Sequence, residues 1–292
     1  MSRVWWTLTH SGIVPTLRKT FRTLKRYGFM PYKMYENIHM YARILKRYNI
    51  TGTLFVPAKI IMEYSKIFKD DLFENIRMGV HGYVHIDYSK LTTIEQKEHF
   101  QKARKIFLSL GMNEVGFRAP HMRLNKEAIA ILASLNYAFD SSSVFVYEKV
   151  ITNKNVFKRI QADHNIVKRS SSYPYVEDGI VRIPFILPDD EVLVDKLNYT
   201  PTRIKSIWCD IINNIEKFGN IAVLQIHPHR IRELSYALEY VINVALKNEI
   251  EIIDLYTLAK RYKDGTMADK KYLCITGDID AFSLKEFIRF HE

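Results

Sequence analysis

Short apolar runs recur along the chain at Thr51 to Val56, Ile76 to Val80, Gly116 to Arg118, Ile180 to Phe185, Ile221 to Ile226, Glu249 to Ile253 and Tyr272 to Ile275. Stretches with helical spacing separate them, so the pattern predicts strands alternating with helices. Thr92-x-x-Glu95 is a capping box before a helix running to Leu110, with Gly111 placed to stop it. Asn125 caps a second helix ending near Asn136, and Pro201 and Thr202 open a third that Gly219 ends. The polar, Lys-rich stretch from Glu148 to Ser172 breaks this rhythm and reads as a long surface insertion. Strand and helix in alternation with short connections imply a parallel α/β architecture, as a barrel or an open sheet, whose functional groups gather after strand C-terminal ends.

Composition narrows the class. With 292 residues, 47% of them hydrophobic, the chain buries a large core and is neither a fibre nor a disordered tail. Its two cysteines, Cys209 and Cys274, are too few for a disulfide framework and read as small buried residues. No stretch reaches the roughly 20 apolar residues of a membrane span. The first ten residues lack a signal-peptide core, so the expected location is cytoplasmic.

The net charge of +11 is uneven. Met1 to Ile50 holds ten Lys or Arg against the single acid Glu36, and the rest of the chain is nearly neutral. Trp5, Trp6 and Leu8 precede Ile13, Val14, Leu17, Phe21 and Leu24 at helical spacing, interleaved with Arg18, Lys19, Arg22, Lys25 and Arg26. Residues 1–28 therefore read as a basic amphipathic segment. It either packs on a domain spanning 29–292 or docks, through residues 5–26, on an anionic membrane at the inner face. No nucleic-acid motif accompanies the charge, and no nucleic-acid partner is expected.

His81-Gly-Tyr-Val-His85 follows one apolar run, and two imidazoles at that spacing can share a metal ion. Arg118, in Gly116-Phe-Arg-Ala-Pro-His121, and His227, in Leu224-Gln-Ile-His227-Pro, each follow another. Together with Thr51-Gly-Thr-Leu-Phe-Val, Tyr137-Ala-Phe-Asp-Ser-Ser142 and Gly179-Ile-Val-Arg-Ile-Pro184, these segments resemble the polysaccharide deacetylases of carbohydrate esterase family 4. The likeness covers most of the chain after Ile50. It implies a distorted (β/α)7-type barrel and metal-dependent hydrolysis of an N-acyl group from an amino sugar.

That family carries an Asp-Asp motif on its first strand, but Phe21 to Tyr48 contains no Asp. Tyr272-Leu-Cys-Ile-Thr-Gly-Asp278-Ile-Asp280-Ala resembles a variant of that motif, which implies a circularly permuted order with strand 272–277 completing the sheet. Residues two apart on an extended strand share a face, so both carboxylates can enter one site.

The resemblance implies a divalent ion, with zinc suiting two imidazoles and a carboxylate best, on His81, His85 and Asp280. By the same likeness Asp278 is the base, Arg118 holds it ionised, and His227 is the acid, oriented by Asp189 or Asp190. The backbone NH of His121 is an oxyanion donor. His121 and Gln225 replace the family's usual Tyr and Leu, and Gln225 at the acyl pocket makes formyl conceivable beside acetyl. A cytoplasmic glycan precursor or lipid-linked saccharide then suits as substrate. The alternative is a noncatalytic glycan- or lipid-binding pseudoenzyme.

Overall fold

The computed structural model describes residues 21–292 except 22, 25, 70, 165, 168–170, 268, 269, 291 and 292. Most of the basic segment at residues 5–26, including both tryptophans, lies outside the described residues. At its end, Phe21, Thr23, Leu24, Arg26 and Tyr27 are helical.

Helix α1 (Tyr32–Arg47) buries Met34, Ile38, Tyr41, Ala42 and Leu45, the three-to-four spacing of one helical face, and closes on Lys46 and Arg47, which suit the negative end of its dipole. Strand β1 (Gly52–Val56) is buried throughout and is followed by α2 (Ala58–Glu63) and β2 (Ile76–Val80). The capping box forms as expected at the start of α3 (Thr93–Ser109), where Thr92 and Glu95 bond each other's backbone N–H. Asn125 caps α4 (Lys126–Ser134) through the Ala128 N–H.

Next come β3 (Val144–Val146), α5 (Lys154–Asp163), β4 (Tyr175–Glu177), β5 (Ile180–Arg182) and β6 (Phe185–Leu187). The run expected as one strand from Ile180 to Phe185 is thus two, interrupted at Ile183 and Pro184. Pro184 has no N–H to give a ladder. The Glu148 to Ser172 stretch is not wholly superficial, because Val150, Ile160 and Ser172 are buried.

Helix α6 (Pro201–Asn213) is capped by Thr200 and ends six residues before Gly219. A tighter turn from Ile215 to Phe218 intervenes, and Gly219 ends that turn with φ 76°. The chain closes with β7 (Ile221–Gln225), α7 (Ile231–Lys247), β8 (Glu251–Ile252), α8 (Leu255–Lys263), β9 (Tyr272–Asp278) and α9 (Leu284–Phe290).

The principal sheet is parallel, in the order β2-β1-β9-β7, with β8 also pairing with β9. All seven residues of β9 are buried, as in a strand covered on both faces. Gly277 permits this close packing, since a Cβ there would lie 2.6 Å from the Ile226 carbonyl oxygen and 2.8 Å from Leu54.

Beyond β2, single bridges join Val80 to Phe117, Phe117 to Asp140 and Asp140 to Arg182. The segment expected as a strand at Gly116 to Arg118 is therefore no ladder of its own. It still donates backbone hydrogen bonds to Val80 and Phe139 and accepts them from Val80 and Ser141, on its two sides. β6 then packs beside β7, giving a barrel-like α/β fold. Phe55 pairs with Asp278 and Gln225 with Thr276, so the C-terminal ends of β1, β2, β7 and β9 meet at one rim. Among the described residues no helix is long and apolar enough to cross a membrane. Cys274 is buried and Cys209 half-buried, both as free thiols.

Candidate metal and hydrolytic site

That rim carries the site. His81 follows β2 directly, its N–H bonded to the Val56 carbonyl, and is almost fully buried. Gly82 then takes φ 77°, a backbone conformation that suits glycine, and the turn returns His85 to the same pocket. The His81 Nδ1 lies 2.9 Å from the Arg118 carbonyl oxygen. A carbonyl can only accept, so Nδ1 carries the proton and the Nε2 lone pair faces inward. Asp280 Oδ1 lies 3.7 Å from His81 Nε2 and 3.1 Å from His85 Nε2.

One donor atom from each of these three residues falls within 4.8 Å of the others. Two imidazoles and a carboxylate, one imidazole fixed from behind by a carbonyl, form a donor set that fits a divalent ion. Burial alone would raise the Asp280 carboxyl, but His85 and His81 hold it well below the usual carboxylate range.

Asp278 sits one strand position pair earlier on β9 and is buried beside this set. Its Oδ1 accepts from Arg118 at 3.1 Å and its Oδ2 from the Gln225 side chain at 2.9 Å. Arg118 is fully buried between the Phe55 and Phe185 rings, at 4.3 and 5.0 Å. It also donates to Gln225, Thr276 and Ser141. Burial pulls its guanidinium pKa down despite Asp278.

His227 stands across the pocket, after β7. Of the two acids left open, Asp190 is the one hydrogen-bonded to it, while Asp189 lines the same pocket. Asp190 accepts from the His227 ring at 2.7 Å and from its backbone N–H at 2.9 Å, whereas Asp189 caps the Val192 N–H. Burial disfavours the His227 cation, but Asp190 outweighs it and holds the imidazole proton well above the usual range. The Asp189 carboxyl, buried next to Asp190, is pushed up to about 7.

His121 lines the pocket with its ring centroid 4.7 Å from that of His85. Its φ of 58°, followed by Met122 at 55°, is a strained pair of left-handed residues, the kind of outlier that clusters at functional sites.

The pocket has a volume of about 540 Å³ and brings His81, His85, His121, Gln225, His227, Asp278 and Asp280 together. Arg118 and Asp190 stand behind its wall. Sequence reasoning missed Tyr27, which donates to Asp280 at 2.9 Å, and Arg26, which bonds Glu191 and Asp195. Both line the pocket, so the last turn of the segment set apart as 1–28 borders the site. Nothing in the local pattern marks them, since their partners lie more than 160 positions away.

Comparison with known proteins agrees with this architecture. Residues 32–139 match the family model described as polysaccharide deacetylase. A curated relative, the peptidoglycan deacetylase-like protein FGM2 of Gibberella zeae, is 29% identical over 103 residues, which is 34% of this chain and only 30% of that protein's length. Among solved structures, a Mycobacterium smegmatis protein described as a polysaccharide deacetylase superposes with a TM-score of 0.65 at 18% identity, covering 92% of this chain and 89% of its own. One from Pseudomonas aeruginosa PAO1, described likewise, gives 0.62 at 16%, covering 81% and 77%. PuuE allantoinase gives 0.58 at 14%, covering 79% and 73%. Residues 32–139 thus resemble a polysaccharide deacetylase domain, and the chain shares the α/β fold of these solved structures.

Proposed function

We propose that the chain hydrolyses an N-acyl group, acetyl or formyl, from an amino sugar, using a divalent ion held by His81, His85 and Asp280. The observation that carries this reading is the convergence of those donor atoms between a buried carboxylate, Asp278, and a buried imidazole, His227, each fixed by its own partner. Bound there, such an ion, zinc by preference, supplies Lewis acidity to an amide carbonyl and acidity to a water.

The chain's own groups do the rest. Asp278, oriented by hydrogen bonds from Arg118 and Gln225, takes the proton of the attacking water. His227, kept protonated by Asp190, gives its proton to the leaving nitrogen. The backbone N–H of His121 faces the developing oxyanion. In the permuted order we propose, β9 does the work of the family's first strand.

Gln225 is committed to Asp278 and Arg118, so a polar amide stands where the family's acyl pocket has leucine. That favours a small or polar acyl group. A glycan precursor or lipid-linked saccharide at the inner membrane face suits the basic N-terminal segment, as do Phe29, Met30 and Tyr32, each about 70% exposed just beyond Arg26 at the pocket.

Amine release from N-acetyl and N-formyl amino sugars, with and without added zinc, tests the reading. Turnover that needs metal and disappears in Asp278→Asn supports it. A protein that binds the sugar but releases no amine with any divalent ion would be the pseudoenzyme instead.

A further inference from the structure

Tyr27 lies outside the matched region, which begins at residue 32, and Asp280 lies far beyond its end at residue 139. Yet the Tyr27 hydroxyl donates to Asp280 Oδ2 at 2.9 Å, while the other oxygen, Oδ1, faces His85 and His81. Tyr27 is only 1% exposed. Its ring stacks on Phe287 of α9 at 5.8 Å and meets His229 edge-on at 5.6 Å. The next residue, Gly28, accepts the Leu284 N–H through its carbonyl at 2.9 Å. A turn from the start of the chain is thus clamped to the helix that follows Asp280, with its one polar atom aimed at a proposed ligand.

We propose that Tyr27 is a positioning residue of the metal site: its hydroxyl fixes the Asp280 carboxylate so that Oδ1 alone is presented beside the two imidazoles. This rests on the reading of His81, His85 and Asp280 as a metal site. A carboxylate on a side chain two residues past a strand end can rotate about χ2, and either oxygen could turn inward. The phenol removes that freedom by occupying Oδ2. Partners of this outer kind typically contribute 10- to 100-fold to metal affinity. Because the donor comes from the segment before the deacetylase match, Tyr27 is a working part of the site and not only of an appendage.

Tyr27→Phe keeps the stacking on Phe287 and removes only the hydroxyl. Tyr41→Phe is the control, since the buried Tyr41 hydroxyl has no hydrogen-bond partner among the described residues and its loss should not reach the ligands. Zinc affinity of the apo full-length protein, measured by competition with a chromophoric chelator, should weaken about 10- to 100-fold in Tyr27→Phe and stay within about twofold in Tyr41→Phe. Thermal unfolding of the apo proteins separates a structural role, which would lower the midpoint without changing zinc affinity. Wild-type affinity in Tyr27→Phe overturns the inference while leaving the metal reading intact. Failure of the wild-type protein to bind any divalent ion overturns both.

Discussion

The sharpest stability consequence follows from Arg118. In Arg118→Met the stem between Phe55 and Phe185 survives, but the charge and five hydrogen bonds disappear. Among the described residues Asp278 then keeps only Gln225 as a donor, with both groups buried. Removing one partner of a buried ion pair costs about 3–5 kcal/mol, because the other charge is left uncompensated. That is a large share of the roughly 5–15 kcal/mol total of a folded domain. Asp278→Asn leaves the guanidinium in the same position and should cost a comparable amount. The double variant strands no charge, so its loss should fall short of the sum by several kcal/mol. Urea unfolding of the four apo proteins at pH 7 measures this coupling. Additive losses, or a loss under about 1 kcal/mol in Arg118→Met, would mean that the pair is not the buried, mutually dependent unit described here.

Four further outcomes are expected. His81→Ala or His85→Ala should lose the bound ion by elemental analysis and abolish hydrolysis, and full metal content in both would reject the ligand set. His227→Ala should retain the ion but lose roughly 10²- to 10⁴-fold in rate. Because the folded imidazole pKa is raised, its pairing with Asp190 stabilises fully below the ordinary value near 6.5 and is lost as pH rises through the folded value. The urea midpoint should accordingly fall on the alkaline side of pH 6.5 in wild type, and a slope unchanged in Asp190→Asn would count against the pairing. Membrane docking through residues 5–26 predicts binding to anionic vesicles that weakens with salt, since screening acts within about 8 Å at physiological ionic strength; equal binding to neutral vesicles would argue against it.

Where the determinants are local, the sequence was legible. The Thr92 capping box, the Asn125 cap and the apolar runs of β1, β2, β7 and β9 are written in neighbouring residues, and they recur in the fold. Side-chain partnerships across the barrel were not legible. Asp189 and Asp190 are adjacent and chemically alike, and only the backbone path after β6 decides which one faces His227. Tyr27 and Arg26 meet partners contributed by the other end of the chain, so no window of sequence contains the pair. The single-bridge contacts at Phe117 and Asp140 also escaped, because one residue's pairing leaves no periodicity to read.

A site of this kind depends on which strand ends abut, not on the order in which the chain reaches them. β9 lies between β1 and β7, with Asp278 in register with Phe55 and Thr276 with Gln225. Any residue just past Asp278 therefore emerges beside the residue after Val56 and within reach of His81 on the next strand. Thr276 reinforces that placement, since its hydroxyl accepts from Arg118 and donates to the Leu224 carbonyl. The carboxylates, the guanidinium and Gln225 are thus fixed by the same three-strand register. A shift of β9 by one residue would turn Asp278 and Asp280 to the opposite face and empty the site of both. The fully buried strand makes such a slip costly, because it would carry the two charges into the apolar layer around Leu54 and Leu224.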